Sequence, residues 1–179
     1  CLVCSNNINI TIQHTEITDT RYGTGLYAGC GDGSCWTSDS LFANNLVHGI
    51  GGDDDDGIRF ERGATNNIIR DNVVFDVPDD GFVLRSTEYQ DPNFLEGNIV
   101  WNAGGTGIVV TGSAVVRNNI AFQVGDDGLY TGNDNGTLEN LRITHNTLAM
   151  AGDRAVEFDG WAGTQGMVFA NNVVVKQFS

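Results

Sequence analysis

The sequence predicts an all-β solenoid, in which short parallel strands stack coil upon coil, and three observations support this fold class. The chain of 179 residues contains 24 glycines and only two prolines, so it is rich in turns without being collagen-like. An asparagine motif returns at a nearly fixed interval, and a glycine motif follows each asparagine at a nearly constant distance. A period of roughly 20 to 50 residues is typical of solenoids and other repeat architectures.

The asparagine motif has the pattern apolar-x-x-Asn-x-apolar, and it places a polar turn residue between two short apolar segments. Successive asparagines are separated by 27, 26, 21, 27 and 26 residues. A degenerate earlier copy has Thr15 in place of the asparagine, 30 residues before the first. The asparagines are Asn45, Asn72, Asn98, Asn119, Asn146 and Asn172.

The glycine motif is a small residue followed by a short run of strand-forming residues. It begins 9 residues after the asparagine in four copies, 10 after Thr15, and 12 where the aspartates 53–56 lengthen the loop. Each unit therefore reads as strand, Asn turn, strand, Gly turn, strand. We expect the glycine to supply the positive φ of a sharp bend. The residues at this position are Gly25, Gly57, Gly81, Gly107, Gly128 and Ala155.

Strands this short satisfy their backbone groups only if each pairs with its equivalents in the coils above and below, about 4.8 Å away. The sheets are then parallel, and equivalent inward side chains form columns. We also expect the repeat asparagines to form an internal hydrogen-bonded ladder. The predicted columns are Ile58, Phe82, Ile108, Leu129 and Val156 in one, and Phe60, Leu84, Val110 and Phe158 in the next.

A right-handed parallel β-helix fits this repeat better than the alternatives do. A propeller blade needs about 40 residues in four antiparallel strands, and a leucine-rich repeat needs a leucine pattern and a helical segment. Asn72-Val73 with Asp80-Gly81-Phe82, and Asn119-Ile120 with Asp127-Gly128-Leu129, resemble repeats of the pectate-lyase-like superfamily. The resemblance covers about residues 6–178 and implies an all-β, right-handed parallel β-helix of six to seven coils. We expect one domain over residues 1–179, as a fragment of a longer chain.

The charge of the chain argues against a nucleic-acid partner, and its hydropathy argues against insertion into a membrane. Nine basic and 23 acidic residues give a net charge of −14, and Lys176 is the sole lysine. A phosphate backbone therefore has no basic surface to bind, and we expect no nucleic-acid partner. No apolar run approaches the roughly 18 residues of a membrane span, so no membrane insertion is expected. A polysaccharide and end-to-end association with flanking coils are the expected contacts.

The cysteines fall as two close pairs near the start of the chain, Cys1 with Cys4 and Cys30 with Cys35. Zinc is a poor interpretation of Cys30 and Cys35, because a second CxxC and nearby histidines are missing. A local loop disulfide is favoured over free thiols, and it indicates an oxidising compartment. The expected localisation is therefore secreted or at the cell surface.

Aspartates precede the glycine corner in several repeats, and stacking would bring them to one edge of the solenoid. Close carboxylates either raise one another's pKa or recruit a cation, and hard oxygen ligands suit calcium. Asp before Gly is also an ordinary turn dipeptide whose side chain bonds its own backbone, so a purely structural role stays open. The predicted calcium ligands are Asp55, Asp79, Asp80 and Asp126.

Outward positions after the glycine corner form a second strip, which carries arginines, carboxylates and an aromatic residue. This combination suits the recognition of sugar acids, since arginine binds carboxylates bidentately and aromatic rings stack on pyranose faces. The predicted catalytic residues are Arg59 and Arg85. The predicted substrate-binding residues are Tyr130, Glu157 and Trp161. The alternative is that Glu61 and Arg85 form a cross-strand pair that only joins adjacent coils.

The sequence thus predicts a module that processes an acidic polysaccharide, with lyase-like or epimerase-like chemistry. In such chemistry a basic group takes the C5 proton of a uronate whose carboxylate is neutralised. The paired aspartates Asp126 and Asp127 resemble those of polygalacturonase-like hydrolases, but the Gly-His-Gly and Arg-x-Lys elements of that group are missing. A non-catalytic structural or glycan-binding segment of a surface or fibre protein is the competing interpretation.

Overall fold

The computed structural model describes residues 6–53, 55–85, 91–134 and 138–175. Every strand pair in these residues is parallel, as predicted, and three long sheets run the length of the solenoid. Two further strands, β1 (Asn7–Ile8) and β5 (Thr37–Ser38), pair with each other beside them. The described residues contain no helix that is long and apolar enough to span a membrane.

Three sheets, which we name A, B and C, each receive one strand from each of six coils, and a seventh coil adds a strand to sheets B and C. Sheet A contains β4 (Leu26–Ala28), β8 (Ile58–Phe60), β11 (Phe82–Leu84), β14 (Ile108–Val110), β17 (Leu129–Thr131) and β20 (Val156–Phe158). Sheet B contains β2 (Thr11–Gln13), β6 (Leu41–Ala43), β9 (Ile68–Arg70), β12 (Asn93–Glu96), β15 (Ala114–Arg117), β18 (Arg142–Thr144) and β21 (Val168–Ala170). Sheet C contains β3 (Glu16–Thr18), β7 (Leu46–His48), β10 (Val73–Val77), β13 (Ile99–Ala103), β16 (Ile120–Phe122), β19 (Thr147–Ala149) and β22 (Val173–Val175).

The inner columns follow the predicted register. Phe82 pairs with Ile58 on one side and with Ile108 on the other, and all three side chains are buried. Equivalent columns come from sheets B and C, where residues such as Ile69 and Val74 are fully buried. Phe158 keeps its predicted place in the last strand of sheet A, but it is 44 % exposed, because no further strand of sheet A among the described residues covers it.

The repeat asparagines form the predicted ladder at the corner between sheets B and C. The backbone N–H and the side-chain Nδ2 of Asn72 both donate to Asn98 Oδ1, at 2.9 and 3.0 Å. Asn72 Nδ2 also donates to the carbonyl of Phe42 in the preceding coil, at 2.9 Å. Asn98 repeats the pattern on Asn119. Each buried amide therefore bonds the coils on both of its sides, which fixes their register.

The prediction for the glycine corner is wrong in its physical cause. Gly57 and Gly81 do not have positive φ. A Cβ at Gly81 would instead lie 2.7 Å from the carbonyl oxygen of Gly107 and against Val100, so glycine is needed for close approach of coils. Left-handed residues stand instead at other corners, among them the position just before a ladder asparagine, as at Asp71 (φ 55) and Asn118 (φ 58).

A disulfide joins Cys30 to Cys35, as favoured from the sequence, with 5.3 Å between the Cα atoms. It closes a short loop after β4, in which Gly31 lies against Tyr27 and Glu61. The other cysteine pair, Cys1 and Cys4, lies outside the described residues, as does Asp54.

Candidate functional site

The outer face of sheet A carries the strip of outward residues predicted from the glycine motif. Pairing between strands places Arg59 beside Val83 and Val109 beside Tyr130, so the central position of each strand points away from the core. Val83 and Val109 are nonetheless only 1 % and 8 % exposed, so the middle of the strip is an apolar floor. The complete column is Tyr27, Arg59, Val83, Val109, Tyr130 and Glu157.

A second column stands immediately before the glycine corner, beside the strip, and contains Asp56, Asp80 and Asp127. The carboxylates of this column accept hydrogen bonds from the next coil. The structural role considered from the sequence was instead a hydrogen bond to the backbone of their own turn. Asp80 Oδ1 accepts from Thr106 N at 2.7 Å, and Asp127 Oδ1 accepts from Arg154 N at 3.0 Å. Asp56 Oδ1 likewise accepts from Asp80 N at 3.3 Å. These aspartates therefore join adjacent coils by hydrogen bonds, as the asparagines do at the corner between sheets B and C.

Glu61 lies at the centre of an ion-pair network between these columns. Its Oε1 accepts from Arg59 Nε at 2.5 Å and from Arg85 Nη1 at 3.3 Å. Arg59 Nη1 also donates to Asp56 Oδ2, at 2.8 Å. The cross-coil pair of Glu61 and Arg85 is the contact that the sequence offered as the alternative to catalysis. Glu61 is 1 % exposed, and its other oxygen, Oε2, has no hydrogen-bond partner in the part of the chain that the structure describes. The same holds for the buried Nε of Arg85.

The network holds Arg59 in its charged form. Burial alone would lower the pKa of Arg59, but its hydrogen bond to Asp56 and the charges of Asp56 and Glu61 outweigh burial and raise that pKa above its ordinary value. A guanidinium whose pKa is raised is a poor proton acceptor and a good anion binder.

The network forms one wall of a cavity of about 730 Å³ at the N-terminal end of the strip, which we call the first cavity. Two carboxylates and two guanidinium groups line it, so its formal charges balance. Tyrosines add apolar surface. Its principal lining residues are Tyr22, Tyr27, Asp55, Arg59, Glu61 and Arg85.

A second cavity, of about 300 Å³, lies further along the same face, and Arg85 lines both. Its lining is acidic, with Val109 among the apolar residues and Tyr130 beside it. Burial, together with the nearby carboxylate of Asp134, raises the pKa of Tyr130 to about 12. Thr111 is 2 % exposed, and its Oγ1 has no hydrogen-bond partner within residues 6–53, 55–85, 91–134 and 138–175. The carboxylates of the second cavity are Asp80, Asp126, Asp127, Asp134 and Glu157.

Comparison with known proteins decides the family. Residues 2–121 match the family model of the right-handed β-helix region. The chain belongs to the right-handed β-helix family. No curated protein and no solved structure matches this β-helix significantly. Because this fold hosts many unrelated functions, what this β-helix does must be argued from its site.

Two groups of aspartates along the β-helix could hold a metal ion. Asp56, Asp79 and Asp80 each offer one oxygen within 4.8 Å of the others, and Asp126, Asp127 and Asp153 do the same further along. Burial raises the pKa of Asp80 to about 7, with a further increase from the charge of Asp79. Burial also raises the pKa of Asp56. A cation at this first group would relieve the cost of keeping these carboxylates charged.

The structure divides the four predicted metal ligands among three places. Asp79 and Asp80 lie together with Asp56, whereas Asp126 belongs to the second group. Asp55 lines the first cavity instead, and it accepts a hydrogen bond of 2.5 Å from Gly23 N. The sequence alone could not separate these positions, because the loop before Gly57 is longer than its equivalents in later coils.

Trp161 is placed differently from the other predicted substrate-binding residues. Its Nε1 donates to Thr131 Oγ1 at 2.8 Å, and its ring packs on Phe158 with centroids 4.4 Å apart. It thus covers the open end of the core, and it lines neither cavity. Tyr130 and Glu157 both line the second cavity.

Glu61 and Thr111 follow the glycine motif at outward positions, but the sequence predicted no role in binding for either. That each has a buried atom without a hydrogen-bond partner among the described residues is visible only in three dimensions. Tyr27 could have been found, since it occupies the position of Arg59 in the preceding glycine motif. Tyr22 stands outside the motifs, so no pattern pointed to it.

Proposed function

We propose that this β-helix binds an acidic polysaccharide along the outer face of sheet A and processes it by a lyase-like or epimerase-like reaction. The observation that carries this proposal is a pair of buried polar atoms in one network, Glu61 Oε2 and Arg85 Nε, that have no hydrogen-bond partner among the described residues. Buried polar groups without partners are costly, and a bound ligand is one way to satisfy them.

The two atoms complement a uronate residue. The free N–H of Arg85 can donate to the sugar carboxylate, and Arg59 adds a second fixed positive charge on the same wall. Glu61 Oε2 is an acceptor for a sugar C–H or hydroxyl proton. Tyr22 and Tyr27 line the same cavity and offer surfaces on which a pyranose ring can pack.

In the proposed reaction the Arg85 guanidinium stabilises the negative charge that develops on the uronate when C5 loses its proton. Glu61 Oε2 takes that proton. In a lyase the electron pair of the C5–H bond forms the C4–C5 double bond, the C4–O bond breaks, and the leaving oxygen takes a proton from water. In an epimerase a proton returns to C5 from the opposite face. Arg59 holds Glu61 and Asp56 in place and remains charged.

Calcium is part of this proposal. Asp56, Asp79 and Asp80 would hold the ion, beside Arg59 on the same face. When bound there, calcium would supply positive charge that neutralises the aspartates and attracts the polymer. The disulfide between Cys30 and Cys35 supports a secreted or cell-surface location.

The test is incubation with a panel of uronate polysaccharides in D2O, with calcium and with chelator. A lyase gives unsaturated uronate ends that absorb ultraviolet light, and an epimerase gives deuterium at C5 that NMR detects. Glu61→Gln should abolish both signals. Arg70→Lys, a change in an exposed pair on sheet B, should leave them intact. Absence of any reaction with every polymer would overturn the proposal of catalysis.

Non-catalytic glycan binding is the second candidate. The close contacts of Arg59 with Asp56 and Glu61 favour it, because an arginine committed to two carboxylates can serve to join coils. Saturable binding of a uronate polymer, without deuterium exchange or elimination, would establish this candidate.

A further inference from the structure

We propose that the second cavity binds a positively charged sugar ring, a hexosamine unit with a free amine. This inference goes beyond the uronate reaction, since it concerns another cavity and another ligand charge. It rests on three features of the cavity: its uncompensated carboxylates, its apolar and aromatic floor, and an unpartnered hydroxyl.

The carboxylates of the second cavity differ in whether an arginine side chain neutralises them. Arg154 bonds Asp127, Asp153 and Glu157 at 3.1, 2.9 and 2.9 Å, so a guanidinium already occupies the acidic group at that end. Asp126 has no such partner among the described residues, although it lines the cavity. Asp80 lines the cavity too, but it belongs to the group proposed to hold calcium, so its charge is not counted here. Arg85, at the opposite wall, is paired with Glu61. The cavity therefore keeps an excess of negative charge that a cationic ligand would relieve.

The walls suit an organic cation better than a bare metal ion. Val109 and the ring of Tyr130 line the cavity, and neither is a metal ligand. An aromatic ring attracts an ammonium group and packs against the C–H face of a sugar. The ring of Tyr130 lies over Gly132, where any side chain would displace it, and its hydroxyl donates to Asp134 at 3.2 Å. The tyrosine is thus held in place.

Thr111 supplies the independent sign of a ligand. Its side chain is buried and lines the cavity, and its Oγ1 has no hydrogen-bond partner among the residues that the structure describes. A sugar hydroxyl would satisfy this atom while the sugar amine bonds the carboxylates. A volume of about 300 Å³ is at the lower end of small-molecule sites and has room for a single sugar ring.

The experiment compares two tetrasaccharides of β-1,4-linked glucosamine, one with free amines and one fully N-acetylated, by calorimetry at slightly acidic pH. The free amine form should bind at least tenfold more tightly, and its affinity should fall as salt rises. Calcium alone and spermidine alone form the other arms. Calcium binding that Asp126→Asn removes and Asp79→Asn leaves intact would overturn the proposal, because calcium bound by Asp56, Asp79 and Asp80 requires Asp79. Equal binding of spermidine, which carries amines without a sugar ring, would overturn it as well.

Variants locate the site. Tyr130→Leu should weaken binding about tenfold. Asp126→Asn and Thr111→Val should each weaken it about threefold. Asp19→Asn is the matched control: it removes one exposed negative charge after β3, where the backbone φ of 54 suits asparagine, and should change nothing. Variants that fold like the parent, judged by their melting, yet bind with unchanged affinity would overturn the assignment. The outcome of these binding measurements does not depend on whether the protein reacts with uronates in D2O, so the two proposals can fail separately.

Discussion

Asp80 in one coil accepts a hydrogen bond from the backbone N–H of Thr106 in the next coil, with 2.7 Å between Oδ1 and N. The same carboxylate lies against Asp56 and Asp79 in a largely buried corner. Asp80 therefore joins two coils, although burial and the neighbouring carboxylates disfavour its charged form. For this reason the free energy of unfolding should depend on pH.

Stability should fall as pH rises from about 4 to about 7 when chelator is present. Burial raises the pKa of Asp80 from its ordinary 3.8 to about 7. Between these values the folded protein keeps a proton that the unfolded chain releases, so the free energy of unfolding decreases as pH rises. The stabilisation is complete below the ordinary pKa and is lost as pH passes the folded value. Urea unfolding across this range measures the slope.

Asp80→Asn is the variant that isolates this effect. Asparagine keeps the acceptor for Thr106 N but cannot become charged. The variant should be more stable than the parent by about 1 to 3 kcal/mol above pH 7, and the two should converge near pH 4. Identical pH profiles for the two proteins would show that Asp80 does not titrate between these limits.

Calcium should raise the melting temperature of the native β-helix. An ion that binds only the folded state stabilises by about 2.7 kcal/mol at a hundred times its dissociation constant. Asp79→Asn should remove the effect, because Asp79 belongs to the proposed group with Asp56 and Asp80. Asp153→Asn should keep it, since its group already contains Arg154. An unchanged melt from chelator to millimolar calcium would leave these aspartates as structural links between coils.

The asparagine ladder should be a main source of stability. Asn98 is fully buried, accepts from Asn72, and donates to Asn119 and to the carbonyl of Ile69. Asn98→Ala should cost roughly 2 to 4 kcal/mol, because it leaves several buried polar groups without partners. Chemical denaturation measures this cost. Asn118→Gly, at an exposed left-handed residue one ladder step away, should cost little. Similar costs for the two variants would contradict a special role for the ladder.

The sequence predicted the fold well because equivalent positions in every coil share the same structural environment, so the same pattern is observed many times. Six equivalent asparagines and six equivalent small residues define the register, so the column through Phe82 and the ladder through Asn98 followed directly. Register in a solenoid is set by stacking alone, and a single correct period places every coil.

The site was predictable only in part, because side-chain partners do not repeat. The motif placed Arg59, Arg85 and Tyr130 on one face, but the hydrogen bonds that bind Arg59 to both Asp56 and Glu61 have no equivalent in the next two coils, where Val83 and Val109 take its position. Trp161 lies after the last glycine motif, where no register constrains it.

The glycine corner is where the sequence was misread, and two substitutions at Gly81 distinguish the two physical causes. If positive φ were the reason for glycine, asparagine would be tolerated better than alanine, because asparagine adopts the left-handed region more readily. Close approach to the carbonyl of Gly107 instead penalises any side chain, and a larger one more. Gly81→Ala should therefore cost about 2 to 3 kcal/mol of unfolding free energy, and Gly81→Asn more than that.

Gly163, with a φ of 79 and open space around it, is the matched control, where asparagine should be a better substitute than alanine. Denaturation of the four variants measures both orders, and the same order at both glycines would mean that backbone conformation, not the contact between coils, selects Gly81.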